Sequence, residues 1–138
     1  MIRENVVARE IVEAAHRVHA ALGPGLLESV YEAALSYELA SAELPLRRQH
    51  PVPVRYNGVL LATGFRADLL VDDCVLVEIK SVRDFAPVHF RQLETYLRLS
   101  DLKLGLLINF GEWRIKRGIK RILNGLYETA EQKEDRVA

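Results

Sequence analysis

Apolar positions recur with two different periods along the chain, and the switch between them divides it. Across residues 4–21 they fall at Val7, Ile11, Val12, Ala15 and Val18, with Leu22 continuing the stripe, a spacing that lines one face of a helix. Gly23-Pro24-Gly25 breaks that pattern. It resumes across residues 26–42 at Leu27, Val30, Tyr31, Ala34, Leu35 and Leu39, and Pro45 closes the unit. The first 45 residues therefore predict two helices joined by a short turn.

From residue 46 the period shortens. Residues 46–56 alternate, with His50, Val52, Val54 and Tyr56, while Pro51 and Pro53 point to an edge strand or an extended approach and not to a central strand, because proline lacks an N–H. Asn57-Gly58 signals a hairpin, with residues 59–64 as its return strand. Phe65 to Val71 and Cys74 to Lys80 are apolar around Asp72-Asp73 and alternate only weakly, which predicts a second hairpin buried on both faces. Pro87 suits the first position of a helix with Phe90, Leu93, Tyr96, Leu97 and Val88 on its inner side. Lys103 to Phe110 reads as a buried strand, reached by a crossover to a parallel neighbour. Residues 113–123 fit either a short edge strand or a helix, and residues 128–138 form a polar tail. The order ααββββαβ with an open end predicts an α/β fold, a mixed β-sheet flanked by helices with two N-terminal helices, in one domain over residues 1–127.

Composition narrows the picture by exclusion. With 138 residues, 49% hydrophobic and 28% charged, the chain has the make-up of one globular domain. Its one cysteine, Cys74, excludes an intramolecular disulfide and a thiolate zinc cluster, and suits a reducing compartment. No apolar run approaches ~18 residues, and Met1-Ile2-Arg3-Glu4-Asn5 lacks the start of a secretory leader. The expectation is a soluble, cytoplasmic protein. Net charge is zero, from 19 basic and 19 acidic residues, but it is unevenly spread. Residues 1–45 hold three Arg and seven Glu, whereas residues 46–127 hold fourteen basic and eight acidic residues. The densest cluster, Arg114, Lys116, Arg117, Lys120 and Arg121, suits a phosphate backbone or, more simply, a solvated face.

Candidate chemistry lies where charge interrupts the apolar hairpin. Asp68 sits in Arg66-Ala67-Asp68-Leu69, and Glu78 and Lys80 in Val77-Glu78-Ile79-Lys80. A buried carboxylate must meet a cation or a metal. Glu78 and Lys80, two apart on a strand, share a face, and the same rule joins Arg66 to Asp68. A two-residue loop at 72–73 would pair Asp68 with Val77 and separate the acids. A three-residue loop at 72–74, or a bulge, pairs Asp68 with Glu78, and this pairing is predicted, because separate burial of the acids has no compensation. Two carboxylates can hold a magnesium-like cation that keeps several waters. Such an ion polarises a phosphoryl oxygen and activates water, and a lysine neutralises charge developing on the phosphate. The competing reading is a structural ion-pair network.

Other polar residues are weighed the same way. Glu28 occupies a first helical turn, where the dipole favours an acid. Tyr31 shares its face and reads as a packed ring with a polar tip, while Glu32 is expected to face water. His89, Gln92 and Tyr96 form one helical stripe. His89 suits either phosphate binding or proton shuttling, or simply a helix start. His16 and His19 lack further ligands and read as structural, and His50 carries no argued role.

These residues carry a resemblance. Asp68, then Glu78-x-Lys80, followed by a helix bearing Gln92, resembles the PD-(D/E)xK nuclease superfamily. Gly25-Leu26-Leu27-Glu28-Ser29-Val30-Tyr31 is similar to the G-x-x-E-x-x-Y signature of a small prokaryotic family within it, the GxxExxY family. Gly64-Phe65-Arg66-Ala67-Asp68-Leu69, Val77-Glu78-Ile79-Lys80-Ser81, Pro87-Val88-His89, Gln92-Leu93 and Leu106-Leu107-Ile108-Asn109-Phe110 look like its other blocks, although Ala67 stands where a proline often precedes the aspartate. The resemblance implies a restriction-endonuclease-like core and a divalent-metal-dependent endonuclease, a phosphodiesterase using Mg2+ or Mn2+. By resemblance Asp68, Glu78 and Glu28 are metal ligands, Lys80 the catalytic lysine, and Gln92 a catalytic helix residue, with Tyr31, Arg66 and His89 as accessory residues. The implied partner is nucleic acid, DNA ahead of RNA, with no membrane and with a homodimer to cut both strands of a duplex. The alternative is a non-catalytic nucleic-acid-binding or assembly module on a nuclease fold.

Overall fold

The computed structural model describes residues 1–61 and 64–125. The first two stripes become α1 (Ile2–Leu22) and α2 (Glu28–Ser41). Val7, Ile11, Ala15 and Val18 of α1 and Tyr31, Leu35 and Leu39 of α2 are buried as their spacing predicts. Leu22, Leu27 and Val30, at the ends of the two helices, are exposed instead. The turn between those helices uses Gly25 at φ 104°, a conformation L side chains rarely adopt.

Residues 46–60 form three strands: β1 (Leu46–Val52), β2 (Arg55–Tyr56) and β3 (Val59–Leu60). The expected strands over 46–56 and 59–64 are therefore corrected. Pro53 interrupts the first, and β1 pairs antiparallel with β4 (Phe65–Val71), leaving β2–β3 as a two-residue ribbon around Asn57-Gly58. Residues 62 and 63 of the expected return strand, and the tail at 128–138, lie outside the described residues. β5 (Val75–Lys80), α3 (Pro87–Ser100) and β6 (Leu104–Asn109) form the expected crossover, with β5 and β6 parallel. The ambiguous stretch resolves into a 3-10 turn at Ile115–Gly118 and β7 (Ile119–Leu123), antiparallel to β6. The main sheet runs β1-β4-β5-β6-β7, so β1 is one edge, as its prolines require, and β7 the other.

Alternation on the central strands divides the core in two. Val77, Ile79, Leu106 and Ile108 pack under α1 and α2, while Leu76 and Leu107 pack with Leu93 and Leu97 of α3. Val88, predicted on the inner side of α3, is 60% exposed. It lies in the first turn, off the Leu93–Tyr96–Leu97 stripe. No helix among the described residues is long and apolar enough to cross a membrane.

A buried amide fixes the segment after β5. Asn109 Oδ1 accepts the Val82 N–H at 3.0 Å and the Gly111 N–H at 2.9 Å, and its Nδ2 donates to the Val82 carbonyl at 2.8 Å. The fit is close: a Cβ on Gly111 would sit 2.4 Å from the Val82 oxygen. Replacing Asn109 by Ala strands three backbone groups inside the fold, so a loss of about 3 kcal/mol is expected in urea unfolding.

Candidate active site

The hairpin turn decides where the acids go. Val71 pairs with Val75 and Leu69 with Val77, so the loop is Asp72–Cys74, the three-residue register predicted above. Asp72 (φ 51°) and Asp73 (φ 55°) both take the left-handed conformation, which short polar side chains tolerate best after glycine. The turn is held by Arg3, which donates to Asp72, and by the Asp72 N–H, which donates to the Pro45 carbonyl at 2.7 Å.

This register brings Asp68 and Glu78 together. Each carboxylate accepts a backbone hydrogen bond from the other's strand. The Asp68 N–H donates to Glu78 Oε1 at 3.0 Å, and the Ile79 N–H donates to Asp68 Oδ2 at 2.7 Å. The strand is irregular here: Gln49 of β1, opposite Asp68, adopts φ 51°, and ladder pairing skips it. Its side-chain amide donates to Asp68 Oδ1 at 3.2 Å and also to Glu32 Oε1. Arg48 Nε and Nη2 donate to Glu32 Oε2 at 3.1 and 3.0 Å. The network thus runs Arg48–Glu32–Gln49–Asp68 and on to Glu78, across four elements.

Glu32 corrects the expectation that it faces water. It is only 8% exposed, because α2 leans on β1 and Arg48 meets it there. Sequence reading missed Glu32, Arg48 and Gln49. The sole signal was Glu32 one turn after Glu28, and nothing local marks Gln49.

Neither Asp68 nor Glu78 forms an ion pair among the described residues. Lys80, half-buried at the end of β5, acts on both only through its field. Among the described residues no direct bridge joins Lys80 to either acid, so a structural ion-pair network would have to show itself as a sharp loss of stability on neutralising Asp68 with no effect of metal. Burial raises the Asp68 pKa, opposed by the Ile79 and Gln49 hydrogen bonds. Burial also pushes Glu78 up to about 8, and the neighbouring Asp68 charge adds to it. The pair is left short of positive charge. Two hard carboxylates in that state fit a divalent cation, which would supply it. Among the described residues there is no ready cluster of three metal-ligating side chains; magnesium needs only one or two carboxylates, since it keeps its waters.

The remaining predicted residues surround this pair unequally. Glu28 opens α2, is exposed, and its Oε1 accepts the Ser81 N–H at 3.4 Å, one residue beyond Lys80. Ser81 Oγ also donates to the Leu26 carbonyl at 2.6 Å, which ties the α1–α2 turn to the end of β5. Gln92 hydrogen-bonds Tyr96, whose hydroxyl is pushed up to about 12 by burial and by the Glu78 charge. His89 is locked: its Nδ1 accepts the Ala86 N–H at 3.0 Å at the start of α3. Its pKa is lowered, first by burial and then by Lys80.

Tyr31 is spent on structure. Its ring stacks on Phe110 at 4.6 Å, and its hydroxyl donates to the Gly23 carbonyl and accepts the Leu26 N–H at 3.1 Å. Arg66 does not join Asp68; its guanidinium donates to the Gln49 carbonyl at 3.4 Å. His19 is structural as read, its Nε2 2.8 Å from the Glu112 carbonyl, and His16 is exposed.

The basic cluster lies away from the acids. Lys116 and Arg117 are exposed on the 3-10 turn, and Lys120 is exposed on β7, two strands over from β5. Arg114 is exposed just before that turn, and Arg121 is tied to Asn5 Oδ1 of α1.

Comparison with known proteins adds one finding. The family model described as PD-(D/E)XK nuclease superfamily matches residues 5–122. No curated protein and no solved structure matches the chain.

Proposed function

Because the chain belongs to the PD-(D/E)XK nuclease superfamily, with the α/β, restriction-endonuclease-like fold of a mixed five-stranded sheet and three helices, we propose that it hydrolyses nucleic-acid phosphodiester bonds with a divalent metal. The observation that carries this reading is the Asp68–Glu78 pair, drawn together across β4 and β5 with no ion-paired cation among the described residues. The Gly25–Tyr31 signature supports placement in the GxxExxY group.

Asp68 and Glu78 would hold magnesium or manganese, with Glu28 adding negative charge from the mouth of α2. When bound, such an ion polarises a phosphoryl oxygen and lowers the pKa of a water. The chain's own residues do the rest. Lys80 places a cation at the end of β5, where it offsets charge developing on the phosphate. With its Nδ1 occupied as an acceptor and its pKa lowered by burial and by Lys80, His89 carries its proton on the other nitrogen and can donate a hydrogen bond to a phosphate oxygen. Gln92, through Tyr96, orients the wall facing Glu78. The exposed Lys116, Arg117 and Lys120, with Arg114 and Arg121, offer phosphate contacts farther out. A buried free thiol at Cys74 suits work in the cytoplasm. One such site cuts one strand, so cutting both strands of a duplex would take a second copy of the chain.

A second reading, a nucleic-acid-binding or assembly module without turnover, is favoured by the balanced charge of the chain, 19 basic and 19 acidic residues. One experiment separates the two. Purified protein is incubated with single-stranded, duplex and branched DNA and with RNA, in magnesium, manganese or chelator, beside a Lys80→Ala control. Metal-dependent cleavage that the control lacks is the expected result. No cleavage, together with no calorimetric heat of magnesium or manganese binding to the folded protein, selects the module.

A further inference from the structure

The proposed chemistry leaves one feature of the β1 edge unused. A groove of about 750 Å3 runs between β1, the β2–β3 ribbon and the start of β4. That lies within the roughly 300–1,000 Å3 range of ligand clefts. Arg47, Arg48, His50 and Arg66 line it, and no carboxylate among the described residues does. Leu60 and Phe65 also line it, 56% and 50% exposed.

Its cations are not all spoken for. Arg48 is committed to Glu32. Arg66 reaches the Gln49 carbonyl and makes no ion pair among the described residues. Arg47 lies 3.9 Å from Asp73, with both side chains about two-thirds exposed, a pairing worth little in water. The groove also neighbours the acidic pair along the chain and through one hydrogen bond. Arg66 precedes Asp68 by two residues, and Gln49, between Arg48 and His50, bonds Asp68. The Phe65 ring rests 5.5 Å from that of Tyr96, which feels the Glu78 charge.

Cations alone would serve any phosphate backbone. A half-exposed ring beside an exposed leucine adds a surface on which unpaired bases can stack, and a fully paired duplex has no free bases to offer it. We propose that this groove binds a single-stranded stretch of nucleic acid and leads it to the Asp68–Glu78 pair. The second half of that statement rests on the nuclease reading; the binding itself needs no turnover.

The test is fluorescence anisotropy of a labelled oligothymidylate of about 12 nucleotides with the full chain in chelator, where nothing is cut. Arg47→Glu and Arg66→Ala are each expected to weaken binding about tenfold. Arg66→Ala should also lower the slope of log affinity against log salt by about 0.7, the value for one lost phosphate contact on a single strand. Phe65→Ala is expected to weaken binding about tenfold with the slope unchanged. Arg9→Glu, exposed on α1, is the control and should bind like the parent chain. Arg47 is an exposed surface residue, so its variant should keep the parent Tm. Parent-like binding by both arginine variants overturns the proposal. So does equal affinity for a blunt duplex, or equal competition by polyglutamate, which would point to an acidic protein partner. Groove-dependent binding without cleavage in any metal sinks the nuclease reading and keeps the groove. Cleavage of single strands with parent KM by the groove variants sinks the groove alone.

Discussion

Asp68→Asn is expected to reduce metal-dependent cleavage by about a thousandfold or more while leaving the fold intact. The amide can still accept the Ile79 N–H through its oxygen, so the contact between β4 and β5 survives in part. What is lost is one of two charges available to hold a divalent cation. Electrostatic stabilisation of several kcal/mol at the phosphoryl group disappears with it, and each 1.36 kcal/mol is about tenfold in rate. Single-turnover cleavage, paired with a magnesium-dependent thermal shift, checks this. The parent chain should gain Tm with magnesium or manganese and the variant should not. A variant that cleaves at the parent rate would remove Asp68 from the site and leave the superfamily match without its chemistry here.

Glu78→Gln should stabilise the metal-free protein at pH 8 and change it little at pH 4.5. Glu78 is pushed up to about 8, above the ordinary 4.5. Between those two values the folded state holds a proton that the unfolded state has released. Stability attributable to this group is therefore fully present below about pH 4.5 and lost as pH rises through 8. Above pH 8 the native state carries a buried carboxylate beside Asp68, and glutamine removes that cost. The expected gain is of the order of 2 kcal/mol, roughly 5 °C in Tm for a chain this size. Metal acts in the same direction on the parent chain: binding requires the ionised carboxylate, so affinity should climb from pH 6 to pH 8 with release of a proton. The variant should lack both the affinity and the proton release. Melting curves of parent and variant at pH 4.5 and pH 8, in chelator and in magnesium, test all of this together. Destabilisation of the variant at pH 8 would mean that the carboxylate is compensated by something other than a metal.

Taken together, the two predictions describe a site that costs stability until it is loaded. The backbone N–H groups of Asp68 and Ile79 hold the carboxylates in place without neutralising them. Asn109 and Ser81 anchor the segment that follows Lys80, so the lysine ends on a fixed strand and not on a loose loop.

Much of this was legible in the residues. Helix and strand periods are local, and so α1, α2, α3 and the buried strands stand close to where the apolar spacing put them. The register of the β4–β5 hairpin was also readable. Side chains alternate with period two, so counting loop residues decides which acids meet, and the cost of separating two buried carboxylates selects one count. Resemblance named Glu28 as a helix-borne acid of the site without placing it, and the structure puts its carboxylate on the Ser81 N–H at the end of β5.

The rest depended on which elements pack together. Gln49 looked like one polar residue on an alternating strand. Only the pairing of β1 with β4, and the irregularity at Gln49 itself, turn its amide onto Asp68 and Glu32. Glu32 looked like a solvated helix residue, and only the packing of α2 against β1 buries it on Arg48. The β1 groove joins residues from three strands and has no signature along the chain. By itself the sequence determined the three helices, the buried strands and the hairpin register that sets Asp68 against Glu78, because periodicity and loop length act between near neighbours. Tertiary structure alone decided which hydrogen bonds hold those acids and which cations stay free of them, because a buried polar group takes its partner from whatever backbone the fold brings alongside.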